Sequence, residues 1–260
     1  VARAPPPLHC GAMKVREYLG EDFTLALSAS FFGFMAHGGF VKGLEDDGLA
    51  PRELAGCSSG ALVAVLHSAG FTADEMLELF LSVPPSEALD MNLSNPGLGL
   101  FDLGAVLEKH LPKERLGAYK NIEDLPKPVS IAITDLLRAQ PVSLQSGPLL
   151  PALACSTAVP LLFRPSYHRG LPAWDGALAD VPGLHGIPRG TGRKILYHHA
   201  TDWPLWATRA GEFGDDAVVL DAAGLPFVHP WSIRTAGMDA WESSRRACRW
   251  LLRQEVLLGE

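Results

Sequence analysis

The chain has 260 residues, 47% of them hydrophobic, with a formal net charge of −7 and a pI near 5.7. That is enough chain for one compact domain with a sizeable core. The acidic balance excludes the basic face a nucleic-acid binder needs, and no run approaches the ~18 apolar residues that cross a bilayer. Residues 1–22, "VARAPPPLHCGAMKVREYLGED", are proline-broken and lack the apolar centre of a secretory signal, so they are expected as a tail, with Met13 a candidate natural start. A single domain is expected over 23–260, and the cytoplasm is the favoured compartment. Cys10, Cys57, Cys155 and Cys248 stand far apart, which argues against a zinc site and favours buried free thiols.

In chain order, "FTLALS" (23–28) reads as a buried strand, and "FGFMAHGGFVKGLEDDG" (32–48) as a helix with a glycine stop at Gly48. "RELAGC" (52–57) is a second strand, and "SSGALVAVLHSAGF" (58–71) a helix ending near Gly70. "TADEMLELFL" (72–81) starts a third helix at a capping Thr72. Strand, helix, strand, helix within about fifty residues is the pattern of an α/β fold with parallel strands. "DMNLSNPGLGLFDL" (90–103) breaks it with Asn, Pro and Gly while keeping its leucines. Around 91–103 it can serve as a lid over a site or rest on lipid, or be an ordinary surface loop. Further strands are expected at 128–135, 141–146, 193–199 and 217–224, and "GPLLPALACS" (147–156) leads into a helix. Residues from about Ser232 to Leu258 are expected as one long packed helix, with Met238, Trp241, Cys248, Leu252 and Val256 on its inner face and Arg245, Arg246, Arg249 and Arg253 solvated.

The chemistry concentrates in "AGCSSGA" (55–61). Gly56-x-Ser58-x-Gly60 lies between a strand and a helix, the setting of a nucleophile elbow, in which side chains two residues either side of the serine would clash. Ser58 alone fits that spacing. The turn also puts Ser58 at a helix N-terminus, where the Ser59 N–H can point at a developing oxyanion. A serine hydroxyl needs a base. Asp175, in "AWDGALAD" (173–180), is one candidate, projecting from a strand end before Gly176. Asp135 is a rival acid at another strand end. His198, His199 or His229 can complete a Ser–Asp–His order. His37 is expected to be structural, and Ser156 a cap or turn residue.

Several blocks, in order over roughly 23–182, resemble the patatin-like phospholipase family. They are the strand, oxyanion loop, helix and elbow in "LALSASFFGFMAHGGFVKGLEDDGLAPRELAGCSSGALVAVLHSAG", the middle block "ITDLLRAQPVSLQSGPLLPALACSTAVPLLFRP", and the Asp-Gly-Ala motif of "WDGALADVP". The resemblance implies a three-layer α/β/α fold with a mainly parallel sheet. It also implies a Ser58–Asp175 dyad without a catalytic histidine, acting on carboxyl esters of lipids as a phospholipase A, lysophospholipase or esterase. No metal or other cofactor is implied. Lipid or ester substrate is the expected partner, with transient contact at a membrane or micelle surface; the sequence sets no oligomeric state.

One block departs from the pattern. The family's three loop glycines fall on Ala29, Ser30 and Phe31, and its basic residue on Gly33. The oxyanion amides are therefore sought among Ser30, Phe31 and Phe32, beside a greasier acyl site. Two other readings compete: an α/β-hydrolase esterase that uses a histidine, and a catalytically silent lipid-binding protein.

Overall fold

The computed structural model describes residues 12–87, 103–160, 163, 166–181, 183, 185, 187, 192–200, 217–222 and 224–257. The expected lid lies outside them but for Leu103, as do Leu98, Leu100 and Cys10. The first half of the chain follows its hydrophobic pattern closely. β2 (Phe23–Leu27) and β3 (Glu53–Cys57) are buried at every position, as strands covered on both faces must be. α2 (Phe34–Asp46) links them and ends just before Gly48, whose φ of 69° suits glycine. α3 (Ser59–Ser68) and α4 (Ala73–Ser82) follow. Thr72 caps α4 by accepting from the Glu75 N–H at 3.2 Å, while Glu75 accepts from the Thr72 N–H at 2.8 Å.

Two short helices, α5 (Leu103–His110) and α6 (Lys113–Leu116), lead to β4 (Val129–Asp135), β5 (Gln140–Leu144) and α7 (Leu149–Ser156). A hairpin of β6 (Ser166–His168) and β7 (Leu171–Asp175) comes next, then β8 (Lys194–His199) and β9 (Ala217–Asp221). Hydrogen-bonded neighbours run β6–β7–β4–β3–β2–β8–β9, with β5 also on β4, in a sheet of eight strands. The pairs from β4 through β3, β2 and β8 to β9 are parallel; β5, β6 and β7 join antiparallel. The chain is an α/β protein with a mainly parallel central sheet.

The C-terminal region corrects the expected single helix. Residues 230–237 form a 3-10 turn and a π turn, α8 spans Met238–Leu251, and β10 (Glu255–Leu257) is a strand. Its partner is β1 (Ala12–Lys14), Met13 lying opposite Val256, and α1 (Val15–Leu19) follows β1. Residues 12–19, inside the expected tail, thus carry a strand and a helix. No glycine or proline marks the end of α8; a partner some 240 residues earlier in the chain captures the segment, which no local pattern reports. The inner face otherwise holds, with Trp241, Cys248 and Leu252 buried. α8 lies against α2 so closely that a Cβ on Gly39 would sit 2.8 Å from the Trp241 Cα. Two of the arginines on α8 are paired, Arg245 with Asp46 at 2.6 Å and Arg249 with Asp47 at 3.4 Å. Cys57, Cys155 and Cys248 are buried free thiols.

Candidate active site

Strand register brings Ser58 and Asp175 together. On β4, Ala132 lies opposite both Cys57 of β3 and Ser143 of β5, and Ile133 opposite both Asp175 of β7 and Val142 of β5. A strand has two edges, and β5 occupies one of them across this stretch. So β3 and β7 share the other, β3 up to Ala132 and β7, running the opposite way, from Ile133 onward. Ser58 therefore leaves the sheet at the point where Asp175 arrives. A Cβ on Gly176 would lie 2.6 Å from the Ala132 carbonyl oxygen and 2.8 Å from the Cys57 sulfur, so the bend after Asp175 admits only glycine.

Ser58 has φ 54° and ψ −123°, a conformation that costs a non-glycine residue roughly 1–3 kcal/mol. Close packing holds it there. A Cβ on Gly56 would meet the Ala61 nitrogen at 2.5 Å, and one on Gly60 would meet the Ser28 carbonyl oxygen at 2.6 Å. The Ser58 N–H donates to the Ser156 hydroxyl at 3.0 Å, and that hydroxyl donates to the Ala132 carbonyl at 2.7 Å. Ser156 is more than the cap or turn residue expected of it: it ties the bend to β4. The middle block "ACSTAVP" was the available signal.

Asp175 is buried, and burial pushes its carboxyl up to about 7, against the opposing pull of the Ser58 side chain and the Ala177 N–H. That N–H donates to Oδ1 at 2.8 Å. Among the described residues Oδ2 has no hydrogen-bond partner of good geometry, so the Ser58 hydroxyl acts on the carboxyl as a near neighbour rather than through a formed bond. A carboxyl that ionises near neutrality beside a hydroxyl can take its proton.

Asp135 is different. Its carboxylate pairs with Arg138 at 2.7 Å, accepts from the Leu137 N–H at 2.8 Å, and is held below its ordinary pKa first by Arg138. Among the described residues neither Ser58 nor Asp175 has a histidine as hydrogen-bond partner. His198 is buried and bonds His37, His199 lies 3.1 Å from the Tyr197 hydroxyl, and His229 is exposed between Phe227 and Trp231.

Beside the elbow lies the bend after β2. The amides of Ser30, Phe31 and Phe32 donate to no acceptor among the described residues, and the Ser59 N–H, at the start of α3, has no intrahelical acceptor. Phe31, Phe32, Ser58 and Ser59 all line one cavity of about 140 Å³, with Phe34, Phe80 and Phe163 in its wall. Its polar lining also includes His110, which lies 3.1 Å from Glu87. Gly33, where the family pattern has a basic residue, is glycine for a local reason: a Cβ there would overlap the Ser30 Oγ and lie 2.6 Å from the Ser30 Cβ. Among the described residues no group of acidic, histidine or cysteine side chains could hold a metal ion, and no helix is long and apolar enough to cross a membrane.

The sequence model described as patatin-like phospholipase matches residues 25–186. The chain belongs to the patatin-like phospholipase family. Uncharacterized NTE family proteins of Mycobacterium bovis and Mycobacterium tuberculosis are each 30% identical to this patatin-like chain over 172 residues, which is 65% of it and 46% of each relative. The chain thus spans about half the length of the curated relatives it matches. Among solved structures, VipD from Legionella pneumophila superposes with a TM-score of 0.54 at 12% identity, over 90% of this chain and 67% of that one. ExoU from Pseudomonas aeruginosa, in complex with SpcU, gives 0.51 at 15%, over 98% and 61%. Both likenesses speak for a patatin-like fold.

Proposed function

We propose that the chain is a serine acyl hydrolase that cleaves carboxyl esters of lipids, with Ser58 as nucleophile and Asp175 as its base. Family membership supports the lipid substrate. The observation that carries the reading is the strained Ser58 beside a buried carboxyl that ionises near pH 7.

In this mechanism the Ser58 Oγ attacks the ester carbonyl carbon while Asp175 Oδ2 accepts the hydroxyl proton. The carbonyl oxygen becomes an oxyanion, and the unpartnered amides of the bend after β2, with that of Ser59, are the donors on hand. As the tetrahedral intermediate collapses, Asp175 returns the proton to the departing alkoxide, leaving an acyl-Ser58. Water then repeats the sequence: Asp175 takes its proton, the acid leaves, and the proton goes back to Ser58 Oγ. The aromatic cavity suits the acyl chain, since burying it gains about 0.8 kcal/mol per CH₂. Phospholipid, lysophospholipid and short acyl ester are the substrate classes to compare.

The test is hydrolysis of a p-nitrophenyl acyl ester and a lysophospholipid panel by wild type, Ser58→Ala and Asp175→Asn. Each variant is expected to lose roughly a thousandfold or more in kcat. Wild-type turnover in either one sinks the assignment.

A further inference from the structure

Two imidazoles without a role in that scheme sit directly behind the bend after β2. His37, in α2, and His198, near the end of β8, are both fully buried, and their rings meet edge to face at 4.9 Å. His37 Nε2 lies 2.9 Å from the Ser28 carbonyl oxygen. A carbonyl can only accept, so Nε2 carries the hydrogen. Burial pushes the His37 pKa down to about 3, so its Nδ1 keeps a bare lone pair. That Nδ1 is 2.9 Å from His198 Nδ1, which must therefore be the donor. His198 Nε2 is left as a lone pair, and it has no partner among the described residues. One backbone carbonyl thus sets both tautomers.

The chain of bonds continues into the bend. Ser30 Oγ lies 3.3 Å from the same His37 Nε2 and 3.1 Å from Ser59 Oγ. The Ser59 hydroxyl directs its one hydrogen at the Ser30 carbonyl oxygen, so the hydrogen between the two hydroxyls comes from Ser30. Ser30 C=O and Phe31 N–H belong to one planar peptide unit, and holding the oxygen fixes where the N–H points. Ser28 is fastened as well: its N–H donates to the His198 carbonyl at 3.2 Å, and its Oγ accepts from the Ala200 N–H at 3.0 Å.

We propose that His37 and His198 are positioning residues, a tautomer-locked imidazole pair that holds the Ser30–Phe31 peptide and the Ser59 hydroxyl in place for the reaction at Ser58. The role of the pair rests on the acyl-hydrolase reading, but its tautomers do not.

The experiment therefore has two parts. Long-range ¹H–¹⁵N spectra of the wild-type protein should show His37 protonated at Nε2 and His198 at Nδ1. The opposite tautomer at either ring overturns the lock, whatever the enzyme does. In the second part, ester hydrolysis is compared for His198→Leu, which removes the donor, and His198→Asn, whose amide can donate from the place of Nδ1. The Leu variant should lose roughly tenfold or more in kcat with KM within about twofold, since orientation of a transition-state donor is what suffers. The Asn variant should recover most of it. Equal kcat in the two variants overturns positioning. If the Leu variant fails to fold, an Asn variant that keeps its melting temperature and kcat supports the proposal, and one that folds but loses kcat overturns it. Full activity in Ser58→Ala would instead discard the dyad and leave the tautomer result standing.

Discussion

The bends that follow β2 and β3 are neighbours with opposite designs. After β3 the chain is strained: Ser58 takes a positive φ, and one bond from its amide to Ser156 helps hold it. After β2 residues 28–32 have no positive φ, and hydrogen bonds from His37, Ser59, Ala200 and Gly33 converge on Ser28 and Ser30. The lesson is a division of labour. On the proposed mechanism, the bend that presents the nucleophile stores strain, and the bend that offers only backbone amides needs rigidity, which a dense buried network supplies.

The comparison breaks most completely where the two bends touch. A Cβ on Gly60 has no room against the carbonyls of Leu27 and Ser28, and both are backbone. Gly60→Ala should destabilise the fold by about 3 kcal/mol or more and abolish ester hydrolysis, checked by urea unfolding and the chromogenic assay.

Asp175 sharpens it through pH. Its carboxyl keeps a proton in the fold up to about pH 7, but only up to about pH 4 in the open chain. Between those limits the folded state binds the extra proton, so stability falls as pH rises from about 4 to 7 and stays lower above. Asp175→Asn never ionises. At pH 8 it should be more stable than wild type by roughly 4 kcal/mol, the two should converge near pH 4, and wild-type kcat/KM should rise through about pH 7. An Asn variant less stable than wild type at pH 8 contradicts the burial-driven shift.

The smallest effect is expected at Ser156. Removing its hydroxyl leaves the Ser58 N–H and the Ala132 carbonyl without that partner. Ser156→Ala should lose about 1–3 kcal/mol in urea unfolding and roughly tenfold in kcat, while Ser30, Ser59 and their histidines keep their bonds.

Local pattern carried the reading as far as α4. β2, α2, β3 and α3 each announce themselves by apolar runs and glycine stops, and the Gly56–Ser58–Gly60 spacing marked the elbow because its cause is steric and local. Asp175 was a turn signal until the family blocks singled it out. What puts it next to Ser58 is the sharing of one edge of β4 by β3 and β7, which is a tertiary event. Ser156 was underrated for the same reason, since its partners Ser58 and Ala132 lie 98 and 24 residues away. The pairing of β10 with β1 ended a helical pattern that held from Met238 to Leu251.

At the bend after β2, the hydroxyl of residue 30 fills the volume that any side chain on residue 33 would claim. The Cβ of Ser30 stands 2.6 Å from the same point, so trimming the serine to alanine would not clear the space. The two positions are therefore coupled: a basic side chain at 33, as in the family pattern, calls for glycine at 30, which that pattern also has.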